Sequence, residues 1–165
     1  MNNIFAIADK ELRSYFSSPT AYVIIGLFAV LFGFFYTAIL DFFVKQSMQL
    51  QQFQMGPSSV NINLQLIRPL LSNASVVALF VLPMITMRTY SEEKRSGTIE
   101  LLLTSPITDL EIILGKFLGA LGLYSLMLLV TTPYIMILFI YGEPEFSPIL
   151  VGYLGLLLMG GSFIS

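Results

Sequence analysis

Between Arg13 and Asp41 the sequence carries no charged residue, and positions 21–40 (AYVIIGLFAVLFGFFYTAIL) form an almost unbroken apolar run. About 20 apolar residues suffice to cross a hydrocarbon core of about 30 Å, so this segment is long enough to span a bilayer as one helix. A secretory signal peptide would need a shorter apolar stretch and a small-residue cleavage site. Neither is present, and further runs of the same kind follow.

Three more charge-free runs recur. One lies at 70–87, bracketed by Arg68 and Arg88; one at 117–141, between Lys116 and Glu143; and one at 147–165. Hydrophobic residues make up 56% of the chain and charged residues 11%, at a mean hydropathy of +0.82. Soluble domains carry about 25% charged residues to solvate their surface, so lipid must be the solvent for most of this chain. The expected fold class is all-α: a polytopic transmembrane helical bundle with spans at 21–43, 70–87, 117–141 and 147–165. The last run is still apolar at Ser165 and has no charged flank, so the chain is expected to be a fragment whose fourth span is incomplete.

Lys and Arg fall unevenly between the spans. With the N-terminus inside, the cytoplasmic segments hold Lys10, Arg13, Arg88, Lys94, Arg95 and Lys116, and the outer ones hold Lys45 and Arg68. This bias predicts a cytoplasmic N-terminus. The net charge of −2 gives a nucleic-acid partner no electrostatic support. The chain has no Cys and no His, which removes thiolate chemistry, zinc and haem ligation by those residues, and imidazole acid–base catalysis.

Residues 2–18 read as an amphipathic elbow helix on the membrane surface. Ile4, Phe5, Ala8, Leu12, Tyr15 and Phe16 share one face, while Asp9, Lys10, Arg13 and Ser17 share the other. Ser17-Ser18-Pro19 separates it from the first span, because proline disfavours helix in the residue before it. The segment 44–67 is rich in Gln and Asn and contains the turn signal Gly56-Pro57. Alternation of Val60, Ile62, Leu64 and Leu66 with Asn61, Asn63 and Gln65 has a strand period, and the same residues also suit the wetted entry of the second span.

Half of the charge lies in one segment. Residues 88–116 hold Arg88, Glu92, Glu93, Lys94, Arg95, Glu100, Asp109, Glu111 and Lys116. The second helix is expected to run past Arg88 and stop at Gly97, a residue suited to a left-handed cap. Thr98–Thr104 (TIELLLT) reads as a short amphipathic helix closed by Ser105-Pro106. The third helix then starts with capping-box spacing at Thr108 and Glu111 and staple spacing at Ile107 and Ile112. A positive-inside connector requires none of Glu92, Glu93 and Glu100, and Leu101–Leu103 would be a liability in water without a partner or a membrane surface to cover it.

At this loop the chain resembles the permeases of ABC-2 type transporters. The residues that carry the likeness are Glu92-Glu93, Arg95, Gly97-Thr98, Glu100, Leu101-Leu102, Ser105-Pro106 and Gly115-Lys116. Glu11, Phe16, Ser18-Pro19, Ala21-Tyr22, and Arg68-Pro69-Leu70 through Pro83 to Met87-Arg88 extend it over nearly the whole chain. The gliding-motility-associated permeases are the nearest branch, with the maturation permeases of nitrous oxide reductase systems beside them. The resemblance implies a multi-pass subunit of the bacterial inner membrane, paired with a second permease as a homo- or heterodimer. It also implies a separate ATPase subunit that binds the ATP, with no cofactor on this chain. Thr98–Thr104 would be the coupling helix, with Glu92, Glu93, Arg95, Gly97, Thr98, Glu100, Leu101, Leu102 and Pro106 as the ATPase-coupling residues.

The residues constrain the mechanism independently. No G-x-x-x-x-G-K-[ST] occurs, so the phosphate-cradling loop of an ATPase is absent. Apart from Asp41 at the far end of the first, the spans contain no Asp, Glu, Lys or Arg, whereas ion-driven pumps place ionisable residues at membrane depth. A membrane-embedded enzyme would likewise lack an acid–base pair. The competing reading is a non-transporting scaffold or mechanotransmission subunit driven through the same loop. Pro83 and Thr132-Pro133 are candidate kinks, either hinges or static curvature. Ser72, Asn73 and Ser75 suit a pathway lining or a helix–helix hydrogen bond. Gly115, Gly119 and Gly122 permit close helix packing, consistent with a permease dimer.

Overall fold

The structure is a computed structural model, and it describes residues 2–52, 62–96, 108–142 and 144–165. These residues are almost entirely helical and include no strand. Helix α1 spans Asn2–Ser17, α2 Pro19–Gln52, α3 Arg68–Ser96, α4 Asp109–Gly142 and α5 Phe146–Ile164, and a π-helical turn, Asn63–Ile67, leads into α3. Four helical segments, Pro19–Gln49, Asn63–Met87, Leu110–Gly142 and Phe146–Ile164, have the length and composition to cross a membrane. The polytopic all-α bundle read from the sequence is thus present.

Several helices outlast the bilayer. At 1.5 Å per residue, the 34 residues of α2 and of α4 each extend about 51 Å, against a hydrocarbon core of about 30 Å. The surplus projects into the aqueous layers. On α2 the exit is marked by Asp41 and Lys45, whose side chains pair at 2.6 Å one turn apart. On α3 the surplus is the stretch beyond Met87, which reaches Ser96 as expected. The 19 residues of α5 amount to about 28 Å, close to one core thickness.

The described part of 44–67 is helical at both ends. Helix α2 continues to Gln52, and the residues from Ile62 onward enter α3 through the π-helical turn. Of the two readings of the alternating stretch, helix entry holds for 62–67, while Gly56-Pro57 lies outside the described residues.

Aromatic and branched aliphatic side chains fill the core between the helices: Phe28 and Phe32 from α2, Leu70, Leu82 and Ile85 from α3, and Leu123, Tyr124 and Met127 from α4. Large apolar side chains also cover the outside, as with Phe34, Phe80, Leu129 and Leu158. In water such a surface would aggregate. In lipid it is the expected exterior, because acyl chains are as apolar as leucine.

Candidate functional site

The charged end of the molecule lies on the membrane face that carries the N-terminus. There α3 ends at Ser96 and α4 begins at Asp109, so two continuous helices rise out of the membrane toward the segment between them. Glu92, Glu93 and Arg95 sit on the last turns of α3. Gly97, Thr98, Glu100, Leu101, Leu102 and Pro106 lie outside the described residues, as does the expected helix Thr98–Thr104.

The start of α4 follows the expected capping logic. The Thr108 carbonyl accepts the Glu111 and Ile112 backbone N–H groups at 2.9 and 3.2 Å. The Glu111 carboxylate reaches back and accepts the Thr108 backbone N–H at 3.3 Å, which satisfies an N–H that the helix itself leaves unpaired. Glu111 stands well before Phe117, where the charge-free run begins, so it is outside the hydrocarbon. That backbone hydrogen bond holds its carboxyl below the usual carboxylate range. The Asn3 side-chain amide donates to the other Glu111 oxygen at 3.4 Å and ties α1 to the same cap.

Helix α1 follows α4 for three turns. Ile4 and Ile7 pack on Gly115, Ala8 and Glu11 on Gly119, and Leu12 on Gly122. Positions rise together along the two helices, so α1 and α4 lie side by side and point the same way. The approach requires glycine. A Cβ at Gly115 would stand 2.6 Å from Ile7 Cγ2, and one at Gly119 would stand 2.7 Å from Glu11 Cβ. Much of the face expected to rest on the membrane is therefore occupied by α4, with Ala8 and Tyr15 buried, while Phe5 remains 63% exposed. The opposite face carries the Asp9–Arg13 ion pair at 2.9 Å. This corrects one expectation: the glycine stripe accommodates a helix of the same chain, so it is not open to a second permease.

Deeper in the membrane, α4 and α5 run antiparallel and are joined by polar groups. The Tyr124 hydroxyl donates to the Leu156 carbonyl at 3.0 Å, and its ring lies against Gly160. Two turns on, the Thr131 and Tyr153 hydroxyls meet at 2.6 Å. Sequence reading singled out neither pair, since a lone Tyr or Thr in an apolar run carries no spacing signal. Tyr134 continues the line toward α2, its ring tilted against those of Phe32 and Tyr36 and packed on Gly33. Pro83 and Pro133 both lie inside helices, where each removes one backbone hydrogen bond.

Toward the opposite membrane face a groove of about 670 Å³ runs along α3 and α5. Ser72 and Ser75 line it, as do Arg68 and Glu145. The Ser75 hydroxyl donates to the Ser72 carbonyl at 2.7 Å, so it is engaged within its own helix.

Residues 5–161 match the profile of a family described as ABC-2 family transporter protein. The match covers nearly the whole length, and the chain belongs to that family: it is a multi-pass membrane protein of the ABC-2 transporter type. No curated protein and no solved structure matches it. The gliding-motility and nitrous-oxide-reductase branches are finer than this match.

Proposed function

We propose that this chain is the permease subunit of an ABC-2 transporter, driven by ATP hydrolysed on a separate subunit that docks on residues 92–106. The observation that carries the reading is a contrast along the chain. The apolar runs at 21–40, 70–87, 117–141 and 147–165 contain no Asp, Glu, Lys, Arg or His, so they hold no charged relay of the kind ion-driven pumps use. Half of the charge is instead gathered where α3 and α4 project from one membrane face. Free energy must enter there if it enters at all.

The helices suit that role. A push on the segment between Ser96 and Thr108 would act on two unbroken helices that continue into the bundle. Through the glycine seam, α4 would carry α1 with it. In this reading Glu92, Glu93, Arg95 and Glu100 pair with the ATPase, Leu101 and Leu102 fill a groove on it, and Gly97, Thr98 and Pro106 shape the short helix between. The N-terminus and this loop are cytoplasmic, in line with the Lys and Arg bias. The gliding-motility branch remains part of the reading through the motif residues quoted above.

Co-purification with the ATPase, followed by transport into vesicles, tests it. The double variant Glu100→Ala/Leu102→Ala should leave ATP hydrolysis by the partner intact and lower transport at least tenfold. Normal transport by that variant would remove the assignment. Binding and hydrolysis without any transport by the unaltered complex would favour the scaffold reading instead.

A further inference from the structure

The groove between α3 and α5 is chemically graded. Arg68 and Glu145 line it with opposite charges, and neither side chain has a hydrogen-bond or ion-pair partner among the described residues. Below them the walls are Leu71, Ser75, Gly155 and Met159. The Ser75 hydroxyl already donates to the Ser72 carbonyl, so this floor asks for an apolar occupant. From Pro148 to Met159 along α5 the groove runs about 16 Å. That is about half of a 30 Å hydrocarbon core, the depth of one leaflet.

We propose that this groove is a binding site for a phospholipid whose headgroup carries a primary ammonium, with one acyl chain along the α3–α5 floor. The phosphate faces the Arg68 guanidinium and the ammonium faces the Glu145 carboxylate. Gly155 makes the seat. A Cβ there would meet nothing within 4 Å, so the backbone of α5 forms open floor at the depth of the chain. The alternative occupant, an apolar helix of a second copy, would shut both charges away unpaired, which is costly. An anionic headgroup without an ammonium would pair with Arg68 but bring no cation to the Glu145 carboxylate. The charge pair thus selects a zwitterion, and a carboxylate acceptor favours an ammonium that can donate N–H hydrogen bonds over a quaternary one that cannot.

The test uses the whole chain, reconstituted in vesicles of equal parts phosphatidylethanolamine, phosphatidylglycerol and phosphatidylcholine. After extraction, native mass spectrometry counts the lipids that remain bound. The expected result is one retained lipid per chain, with phosphatidylethanolamine enriched. Glu145→Gln should cut that enrichment about threefold, in keeping with the modest strength of an exposed ion pair. Arg68→Gln should lower retention of all three lipids. Gly155→Leu should abolish retention while helicity by circular dichroism stays unchanged, because its side chain enters space that is already open. An enrichment unaffected by Glu145→Gln, or full retention by Gly155→Leu, overturns the proposal. So does an unaltered chain that retains no lipid and runs as a dimer that Gly155→Leu dissociates, a result that would make the groove a self-association surface.

Discussion

The α1–α4 seam and the α3–α5 groove are both built around glycine, yet one is closed and the other open. At Gly115 and Gly119 the missing side chain lets a neighbouring helix approach until a Cβ would collide with it. At Gly155 the missing side chain faces space with no atom within 4 Å. Glycine alone therefore does not define a packing surface in this membrane protein; what matters is whether an amphipathic helix packs against it. Helix α1 is such a partner, and it is tied to the start of α4 by the Asn3–Glu111 hydrogen bond. The groove has no comparable element among the described residues, only two charges lining it. The seam is suited to passing displacement between helices, and the groove to holding something that can leave.

The largest effect should follow from forcing the seam apart. Gly119→Leu places a branched side chain where even a Cβ is too close, and overpacking of this kind costs about 1–3 kcal/mol. Because the chain has no cysteine, the pair Leu12→Cys/Gly122→Cys reports on the seam without background. Those positions face each other closely, and a disulfide needs Cα atoms within about 7 Å. The pair should cross-link readily, and adding Gly119→Leu should slow the cross-link at least tenfold. Rapid cross-linking in the triple variant would mean that α1 docks by other contacts.

A smaller effect is expected from the polar links between α4 and α5. Removing the Thr131–Tyr153 hydrogen bond with Tyr153→Phe should cost about 0.6 kcal/mol, the typical size of such bonds within membranes. Unfolding from mixed micelles measures it. A loss of several kcal/mol would mark the Thr131–Tyr153 pair as a main support of the bundle, on a par with the seam.

How much of this was legible beforehand depended on the range of the signal. The spans were legible because a charge-free run is a local property, and the start of α4 was legible because Thr108 and Glu111 stand three residues apart. The pairing of α1 with α4 was not, since it joins residues more than 100 positions apart, as Asn3 and Glu111 show. The glycines at 115, 119 and 122 were visible, but their partner was not, and a second chain fitted the pattern equally well. Tyr124 and Tyr153 were hidden for the same reason: an aromatic residue in an apolar run looks like any other lipid-facing side chain until a neighbouring helix supplies its acceptor. Of the coupling residues, Glu92, Glu93 and Arg95 could be placed on α3 by continuing its helix. The docking of Glu100 and Leu102 depends on a partner surface that no sequence of this chain contains.

The cap on α4 gives a weaker, pH-dependent signature. The Thr108 N–H holds the Glu111 carboxyl below its ordinary range, so the folded state favours the ionised form. The resulting stability is present above the unfolded carboxylate pKa and is lost as pH falls through the lower, folded value. Glu111→Gln should therefore be slightly less stable than the unaltered chain near neutral pH, with the gap closing on acidification. Melting temperatures of the two forms measured down a pH series check this, and a gap that widened in acid would contradict the assigned hydrogen bond.

The smallest change in stability is also the cleanest way to separate the two glycine surfaces, because the same substitution should have opposite signs in them. Gly155→Ala adds a methyl group to open space and removes a flexible residue from a helix. It should be neutral or stabilising by up to about 1 kcal/mol, the helix-propensity difference between the two residues. Gly115→Ala gains the same propensity but drives its methyl into Ile7 and toward the Ile4 carbonyl, so α1 must shift and the net effect should be destabilising. A shared sign would mean that backbone propensity, rather than the fit of α1 against α4, governs both positions. The seam would then be too loose to carry α1 along with α4, and the route from the charged loop would be reduced to α3 and α4 themselves.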